Sequence, residues 1–577
     1  MEVPVAGPLW DSHFPGLMAW ELERLRERAR AVEIDQPKLA KGLLVVRFEW
    51  PFGESFLALE ASFPSSYPFL RPQVRLLSGR EDWPEHHVSP VDGTVCLLGR
   101  DTAQWSPAYH LAKLLTDQLE NALLGDGAED PQAEPADVWW NGLAPLPDSY
   151  CLVDSDWKFD EGSQGRLDFF YVLDACETPR IRGVIRRVLA DDDTVLAEWS
   201  GPLPAELAQA KRQISVRWYR AGHVVLPHEP VVAQLRQLRN QHLGGLGAPA
   251  SVGKNLSVRP FVLVHPIEKL GGGHVEGWIF GLEWGTPRAF GKKGHRADHG
   301  IKLSFLPILR AGSDDLHQRV PDAAPLRGKR VAVFGVGAIG APIAIELARN
   351  GVAELRLVDH DIVEPGNSER WPLGAASWGR RKTEALAEHL RSQFPAVTIV
   401  PVHHQLGHSS EQGTDDSALA VALVGADIVV DATVSSGVTY FLWDRCMRQG
   451  TSLVKVGATP TLGGGSVVLY VRGGGCPVCL QYARIDESVA TPPGGGETPL
   501  GIQPPGCGER TFTGADYDLQ ELSLQSVRLV VDTLREGKQS GLVQTLALKN
   551  MDGEQILPRW SEQALPQHIA CCAKPDI

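Results

Sequence analysis

Cys507 is the residue of this sequence whose surroundings best suit a nucleophile. It follows TPPGGGETPLGIQPPG, a proline- and glycine-rich segment typical of a flexible loop. A lone cysteine is usually a small buried apolar residue, but a glycine-flanked loop is a poor place to bury one. A thiol on such a loop can swing toward an activated acyl group and capture it as a thioester. We therefore predict that Cys507 is catalytic.

Four other cysteines have the spacing of metal ligands. Cys476 and Cys479 form a CxxC motif at a glycine-rich turn, and Cys571 and Cys572 are adjacent, shortly after His568. Because tetrahedral zinc accepts both Cys and His, the first pair and Cys572, with either Cys571 or His568, can complete a structural Zn²⁺ site. The competing interpretation is a metal-free turn with an unrelated tail.

Three glycines predict a nucleotide site. Gly335, Gly337 and Gly340 form a GxGxxG turn between an apolar strand and a helix, where side chains would block the approach of phosphates to the backbone. Asp359 follows at the end of the next strand, the position of an acidic residue that binds a ribose hydroxyl. The turn alone fits any dinucleotide-binding fold, so an NAD-dependent oxidoreductase competes at this point.

The polar residues that follow favour cleavage of a triphosphate over hydride transfer. They occur in the order Asp361, Asn367, Arg370, Lys382 and Asp431. Cleaving ATP between its α and β phosphates requires cations on the phosphates and a carboxylate for Mg²⁺. The arginine and the lysine supply the first requirement, and the aspartate at the end of ADIVVDAT supplies the second.

The elements around this turn predict a parallel sheet covered by helices. RVAVFGVGAIG reads as a buried strand and glycine turn, APIAIELARNG as a helix that ends at Gly351, and ELRLVDHD as the next strand. The C-terminal region is therefore predicted to have a Rossmann-like α/β fold.

The N-terminal region has a different pattern. An amphipathic helix is predicted over about residues 15–32, and LLVVRFEW, ESFLALEASF and PQVRLL read as an antiparallel meander. AYHLAKLLTDQLENALL predicts another helix, and an acidic, proline-containing linker follows it. The middle region mixes short strands such as FYVLDA and VIRRVLA, and a structural or docking role is favoured there.

Composition excludes several classes of function. The net charge of -14 argues against a nucleic-acid partner, and the apolar stretch Val331–Ala348 is too interrupted for a membrane span. The start MEVPVAGPLWDSHF lacks the features of a signal peptide. Nine cysteines in 577 residues suit a reducing compartment, and we expect a cytoplasmic protein.

From about Leu326 onward, the sequence resembles ubiquitin-activating and sulfur-carrier-adenylylating enzymes of the ThiF/MoeB fold. The resemblance implies that ATP and Mg²⁺ are used and that a cysteine before the last sheet-and-helix segment, here Cys507, is the nucleophile. It also implies a structural zinc and a homodimer in which an arginine, Arg310 or Arg319, reaches across. By the same resemblance, Asp359 binds the ribose and Asp431 holds magnesium, while the phosphates contact Asn367, Arg370 and Lys382.

Residues 10–140 resemble ubiquitin-conjugating enzymes. The matching segments are Tyr67-Pro68-Phe69 with Pro72, HHVSPVDGTVCLL around Cys96, and Trp105-Ser106-Pro107-Ala108. The resemblance implies that Cys96 carries an acyl thioester. One position departs from the family's pattern, because Val88 replaces the asparagine that steadies the oxyanion, and another donor must act there.

The resulting prediction is a multidomain α/β and α+β protein. It has a ubiquitin-conjugating-like domain at 1–140, a middle domain at 141–320 and an adenylation domain at 321–577. A partner's C-terminus is adenylated, captured on Cys507, moved to Cys96 and transferred to a target lysine. Similar fusions in CBASS-type anti-phage operons suggest a cGAS-like nucleotidyltransferase or a ubiquitin-like protein as partner. The alternatives are a sulfur-carrier adenylyltransferase and a non-enzymatic nucleotide-binding scaffold.

Overall fold

The computed structural model divides the chain into two compact units. Unit 1 comprises Met1–Trp199 and Ala210–Gly312, and unit 2 comprises Ser200–Gln209 and Ser313–Ile577. The described residues are 8–79, 87–97, 105–124, 137–143, 145–174, 180–228, 230–243, 249–251, 256–268, 273–286, 301–317, 319–407, 415–494, 514–537, 540–550 and 552–571.

Unit 1 begins with a four-stranded antiparallel sheet packed against helices, which confirms the predicted meander. The strands, in spatial order, are β1 (Arg30–Ile34), β2 (Val45–Phe52), β3 (Ser55–Ser62) and β4 (Gln73–Leu76). The helices are α1 (Leu9–His13), α2 (Leu17–Arg26), α3 (Gln36–Leu39), α4 (Leu111–Leu124) and α5 (Asp137–Asn141).

The helix predicted over residues 15–32 is shorter in the structure. It ends at Arg26, and Ala31, within β1, adopts a positive φ of 51° where the pairing of β1 with β2 is irregular. Val32 and Ile34 then alternate onto the core of the sheet. This period-two pattern was concealed by the run of helix-forming charged residues before it.

A buried carboxyl group joins three segments of this domain. The Tyr67 hydroxyl donates to Glu21 on α2, and the Leu111 amide at the start of α4 donates to its other oxygen at 3.1 Å. Burial raises the pKa of Glu21 to about 7, although both hydrogen bonds act to lower it. The Trp105 indole donates to Pro68 O at 2.9 Å, next to Tyr67, and so holds the same segment in place.

The second sheet of unit 1 has ten strands. The segments predicted to be short strands overlap two long antiparallel strands, β6 (Gln164–Asp174) and β7 (Arg180–Ala190), which also pair through charged side chains, such as Arg187 with Asp168 at 2.6 Å. The strands are β5 (Tyr150–Val153), β6 (Gln164–Asp174), β7 (Arg180–Ala190), β8 (Val195–Glu198), β9 (Arg212–Arg220), β10 (Ala250–Ser251), β11 (Ser257–Glu268), β12 (His274–Gly285), β13 (Lys302–Phe305) and β14 (Ile308–Arg310). Helix α7 (Val231–His242) follows β9, and the short α6 (Ala205–Ala208) belongs to unit 2.

Unit 2 contains an eight-stranded sheet of order β17-β16-β15-β18-β19-β20-β21-β22. Its strands are β15 (Arg330–Phe334), β16 (Glu354–Asp359), β17 (Thr398–His403), β18 (Ile428–Asp431), β19 (Ser452–Ala458), β20 (Gly464–Tyr470), β21 (Leu542–Lys549) and β22 (Gln555–Ala564). The first five strands in this order are parallel to one another, which gives four parallel pairings, and the last three pairings are antiparallel. The apolar runs of β15 and β18 are buried, as expected for parallel strands covered on both faces.

The helices of unit 2 confirm the predicted β-α-β unit, because α9 connects β15 to β16. The helices are α8 (Ser313–His317), α9 (Gly340–Arg349), α10 (Lys382–Gln393), α11 (Asp415–Leu423), α12 (Ser436–Gln449), α13 (Pro477–Ile485) and α14 (Asp516–Glu536). Among the helices that the structure describes, no stretch is both long and apolar enough to cross a bilayer.

Candidate active site

The glycine turn leaves an open space at the carboxyl edge of the sheet. A Cβ on Gly340 would lie 1.8 Å from Gly335 O, and Gly335 itself has φ +79°, so both positions require glycine. A Cβ on Gly337 would meet no atom within 4 Å. The first and third glycines therefore form the turn, and the second faces a space that phosphates can enter.

Asp359 joins the glycine turn to the end of β16. Its Oδ2 accepts from the Val336 amide and its Oδ1 from the Asp361 amide, both at 2.8 Å. A carboxylate oxygen can accept more than one hydrogen bond, so each keeps acceptor capacity for a ribose hydroxyl. The position and chemistry of Asp359 thus fit the predicted nucleoside-binding role.

Lys382 and Asp361 form an ion pair beside this edge. The Lys382 Nζ donates to Asp361 Oδ2 at 2.8 Å, and the lysine is the first residue of α10. Burial acts to raise the pKa of Asp361, but the hydrogen bond and charge of Lys382 outweigh it and lower that pKa. The ammonium group and the N-terminus of α10 are two positive sources that together fit a phosphate group.

Asn367 and Arg370 lie between β16 and α10. The Asn367 carboxamide oxygen accepts from the Glu364 amide at 3.0 Å and so caps the short 3-10 turn Pro365–Asn367. Burial lowers the pKa of the half-buried Arg370 guanidinium. The buried Trp371 was not anticipated; its indole donates to Val336 O at 2.8 Å and ties this segment to the glycine turn.

The environment of Asp431 does not fit the predicted magnesium ligand. The residue is 0% exposed. Its Oδ1 accepts from the Thr433 amide at 2.9 Å and from the Thr433 hydroxyl at 2.6 Å. Its Oδ2 accepts from the Thr439 hydroxyl at 2.6 Å and lies 3.3 Å from Lys455 Nζ. Lys455 was also missed by sequence reasoning, since it becomes a neighbour only through the pairing of β18 with β19.

Three of the predicted zinc ligands come together. The Cys476 sulfur lies 3.6 Å from that of Cys479 and 3.5 Å from that of Cys571, near the separation of about 3.8 Å between sulfurs on tetrahedral zinc. His568 is engaged elsewhere, because its Nε2 lies 2.9 Å from Asp486 Oδ2 and its Nδ1 accepts from the Ala570 amide. Cys572 lies outside the described residues.

Cys507 also lies outside the described residues, but both ends of its segment touch one turn. The Pro493 carbonyl accepts from the Thr459 hydroxyl at 3.1 Å. A Cβ on Gly514 would lie 2.3 Å from Leu462 Cδ2, so this residue also packs against the turn. The segment therefore leaves and rejoins the domain beside the start of β20.

Cys96 is partly exposed and lies in a turn between β4 and α4. Its amide donates to His87 O at 2.7 Å, and Val88 pairs with Val95 in an antiparallel bridge. Val88 is buried in the core of the domain. Its apolar side chain offers no hydrogen-bond donor, which agrees with the departure noted in the sequence.

Comparisons with known proteins found one matching family and several similar chains. Residues 317–499 match the ThiF family. The protein y4qC of Sinorhizobium fredii, described as uncharacterized, is 36% identical over 96% of this chain and 95% of its own length. The SAMP-activating enzyme E1 of Haloferax volcanii is 36% identical over 27% of this chain and 54% of that protein. A crystal structure of E. coli MccB with ATP matches 44% of this chain and 67% of the MccB chain, with 16% identity and a TM-score of 0.31.

The fold of unit 2 and the glycine turn define a ThiF/MoeB-like adenylyltransferase domain at the C-terminus of a mixed α/β multidomain protein. The whole chain belongs to the same family as y4qC of Sinorhizobium fredii. Enzymes with this domain use ATP with magnesium.

Proposed function

We propose that the chain activates the C-terminal carboxylate of a protein partner. The carboxylate oxygen attacks the α-phosphorus of ATP, the α–β bond breaks, and an acyl adenylate and pyrophosphate result. The observation that carries this proposal is the open space at Gly337, next to Asp359 and the Lys382 ammonium group.

Each residue has a distinct role in this proposal. Asp359 orients the glycine turn and accepts a ribose hydroxyl. Lys382 and Arg370 offset the negative charge that builds on the phosphates as the bond breaks, which is the usual largest contribution to such catalysis. Asp361 holds Lys382 in position before ATP binds, and Asn367 shapes the loop between them.

A thioester relay would follow the adenylation. Cys507 attacks the acyl adenylate and releases AMP, and Cys96 then displaces the Cys507 thiolate. A lysine amine of the target finally attacks the Cys96 thioester, giving an amide bond. The order of helix, antiparallel sheet, cysteine turn and helix in residues 9–124 supports a ubiquitin-conjugating-like role for Cys96.

Single cysteine variants should separate the two steps of the relay. With an activatable partner on non-reducing gels, Cys96→Ala is expected to give a reductant-sensitive adduct at Cys507 but no conjugate. Cys507→Ala should give neither, and Cys151→Ala, which removes a buried thiol of unit 1, should behave as wild type. Efficient loading of Cys96 in the Cys507→Ala protein would instead mean that Cys96 attacks the adenylate directly.

The sulfur cluster supports a structural zinc, a second part of the proposal. Cys476, Cys479 and Cys571 would supply three thiolates, and the adjacent Cys572 is a better fourth ligand than the engaged His568. Elemental analysis should find about one zinc per chain, and Cys479→Ser should lower that content while Cys151→Ala leaves it unchanged. A folded, metal-free wild-type protein would refute this part.

The partner and setting also belong to the proposal. A ubiquitin-like protein or a cGAS-like nucleotidyltransferase, in an anti-phage operon, fits a chain that joins adenylation to a second cysteine domain. In a homodimer, Arg310 at the end of β14 or the exposed Arg319 would reach the other subunit. Relatives named adenylyltransferase and sulfurtransferase favour a sulfur-carrier substrate as the second candidate. A neighbouring gene for one of these partners would distinguish them.

A further inference from the structure

Lys455 places a cation against the carboxylate of Asp431, beside the glycine turn. The two residues are directly opposite each other on β18 and β19, and the lysine side chain is 18% exposed. Its Nζ lies 3.3 Å from Asp431 Oδ2 and also donates to Thr433 O. The lysine therefore connects the Asp431 carboxylate to the backbone of Thr433, two residues further along the chain.

The segment held by this lysine forms one wall of the nucleotide site. The Ala432 amide donates to Phe334 O at 2.8 Å, at the end of β15. A Cβ on Gly335 would lie 2.9 Å from the Ala432 carbonyl carbon, so the turn packs directly on the segment. A displacement of residues 431–433 would consequently displace the glycine turn.

The hydrogen bonds of Asp431 leave no position for a metal ion. A carboxylate has about four lone-pair positions. Thr433 occupies two through its amide and hydroxyl, Thr439 occupies a third, and Lys455 faces the other side of Oδ2. Magnesium demands near-ideal geometry at about 2.0–2.1 Å and keeps several waters, which this enclosed carboxylate does not admit.

A buried carboxylate nevertheless needs a positive partner, since an unpaired charge in the interior is strongly destabilising. Lys455 is that positive partner and, unlike a bound ion, is part of the chain. We propose that Lys455 is a built-in cation that takes the place of a divalent ion at Asp431 and, as a positioning residue, fixes the wall of the glycine turn. Magnesium used in adenylation would then enter with the nucleotide's phosphates.

This inference concerns the site of the proposed adenylation but can be tested without nucleotide or acyl partner. The probe is Mn²⁺, counted by electron paramagnetic resonance in nucleotide-free protein, together with the thermal midpoint in Mn²⁺ and in chelator. Wild type and Asp431→Asn are expected to bind the same amount of Mn²⁺. Any ion on the carboxylates of Asp359 and Asp361 cancels in this comparison.

Removing the lysine should convert Asp431 into a metal ligand. Lys455→Ala is expected to have a lower thermal midpoint in chelator, to bind about one additional Mn²⁺, and to regain midpoint when Mn²⁺ is added. The double variant Lys455→Ala/Asp431→Asn should show neither the additional Mn²⁺ nor the rise in thermal midpoint on adding Mn²⁺. Lys455→Gln, which retains a donor for Thr433 O, serves if the alanine variant does not fold.

Two results would overturn the proposal. The first is Mn²⁺ bound by wild type and lost in Asp431→Asn. The second is a folded lysine variant that gains no Mn²⁺ relative to its Asp431→Asn double variant. Pyrophosphate exchange, measured separately on wild type, reports whether the domain adenylates, so failure of that function would be distinguishable.

Discussion

Lys382→Ala is expected to reduce ATP–pyrophosphate exchange by about 100- to 1,000-fold, the usual effect of removing one preorganised donor from a charged transition state. The ammonium group is held by Asp361 beside the N-terminus of α10, so it needs little reorganisation when phosphates arrive. Lys382→Arg should recover part of the rate, because the charge is retained.

Two controls separate this role from simple neutralisation of Asp361. Lys329→Ala removes a lysine paired with Asp427 before the start of β15, at the opposite edge of the sheet, and should exchange normally. The double variant Lys382→Ala/Asp361→Asn removes both charges. If it exchanged as fast as wild type, the lysine would be needed only to balance the aspartate, and its assignment to phosphate would be wrong.

Gly337→Ala and Gly340→Ala should affect different properties: the first ATP affinity and the second folding stability. Gly337→Ala places a methyl group in open space, so we expect normal stability but at least about tenfold weaker ATP binding, a loss of about 1.4 kcal/mol. Gly340→Ala forces a Cβ against Gly335 O, and overpacking of this kind costs about 1–3 kcal/mol of folding free energy or more. Calorimetric titration with ATP and thermal unfolding measure the two effects.

Gly374→Ala is the matched control for both variants. A Cβ at Gly374 also meets no atom within 4 Å, and its backbone has a negative φ of -87°. The variant should therefore bind ATP and unfold like wild type. Unchanged ATP affinity in Gly337→Ala would show that the phosphates lie elsewhere.

The sequence predicted those parts of the fold that depend on local periodicity. The apolar run before Gly335 and the alternating strands of the N-terminal meander were both found in the structure. The end of α2 was predicted wrongly, because Val32 and Ile34 follow charged residues that also suit a helix. Such a boundary is decided by packing against the sheet, which local pattern does not record.

The polar part of the site was less predictable. Gly337, Asp359 and Lys382 lie at one edge because consecutive parallel strands end there. Asp431 also lies at that edge, but its chemistry is set by Lys455, which strand pairing brings beside it from a distant position in the chain. Reading residue types in order cannot distinguish a carboxylate that is already paired from one that can bind a metal.

Pro493 and Gly514 both contact one turn, so the length of the chain alone limits how far Cys507 can lie from that turn. Cys507 is about seven residues from Gly514, and an extended chain spans at most about 3.6 Å per residue. Its sulfur can therefore lie no more than roughly 25 Å plus the length of a side chain from Gly514. The proposed relay therefore requires both the acyl adenylate carbonyl and the Cys96 thiol to come within this distance of Gly514.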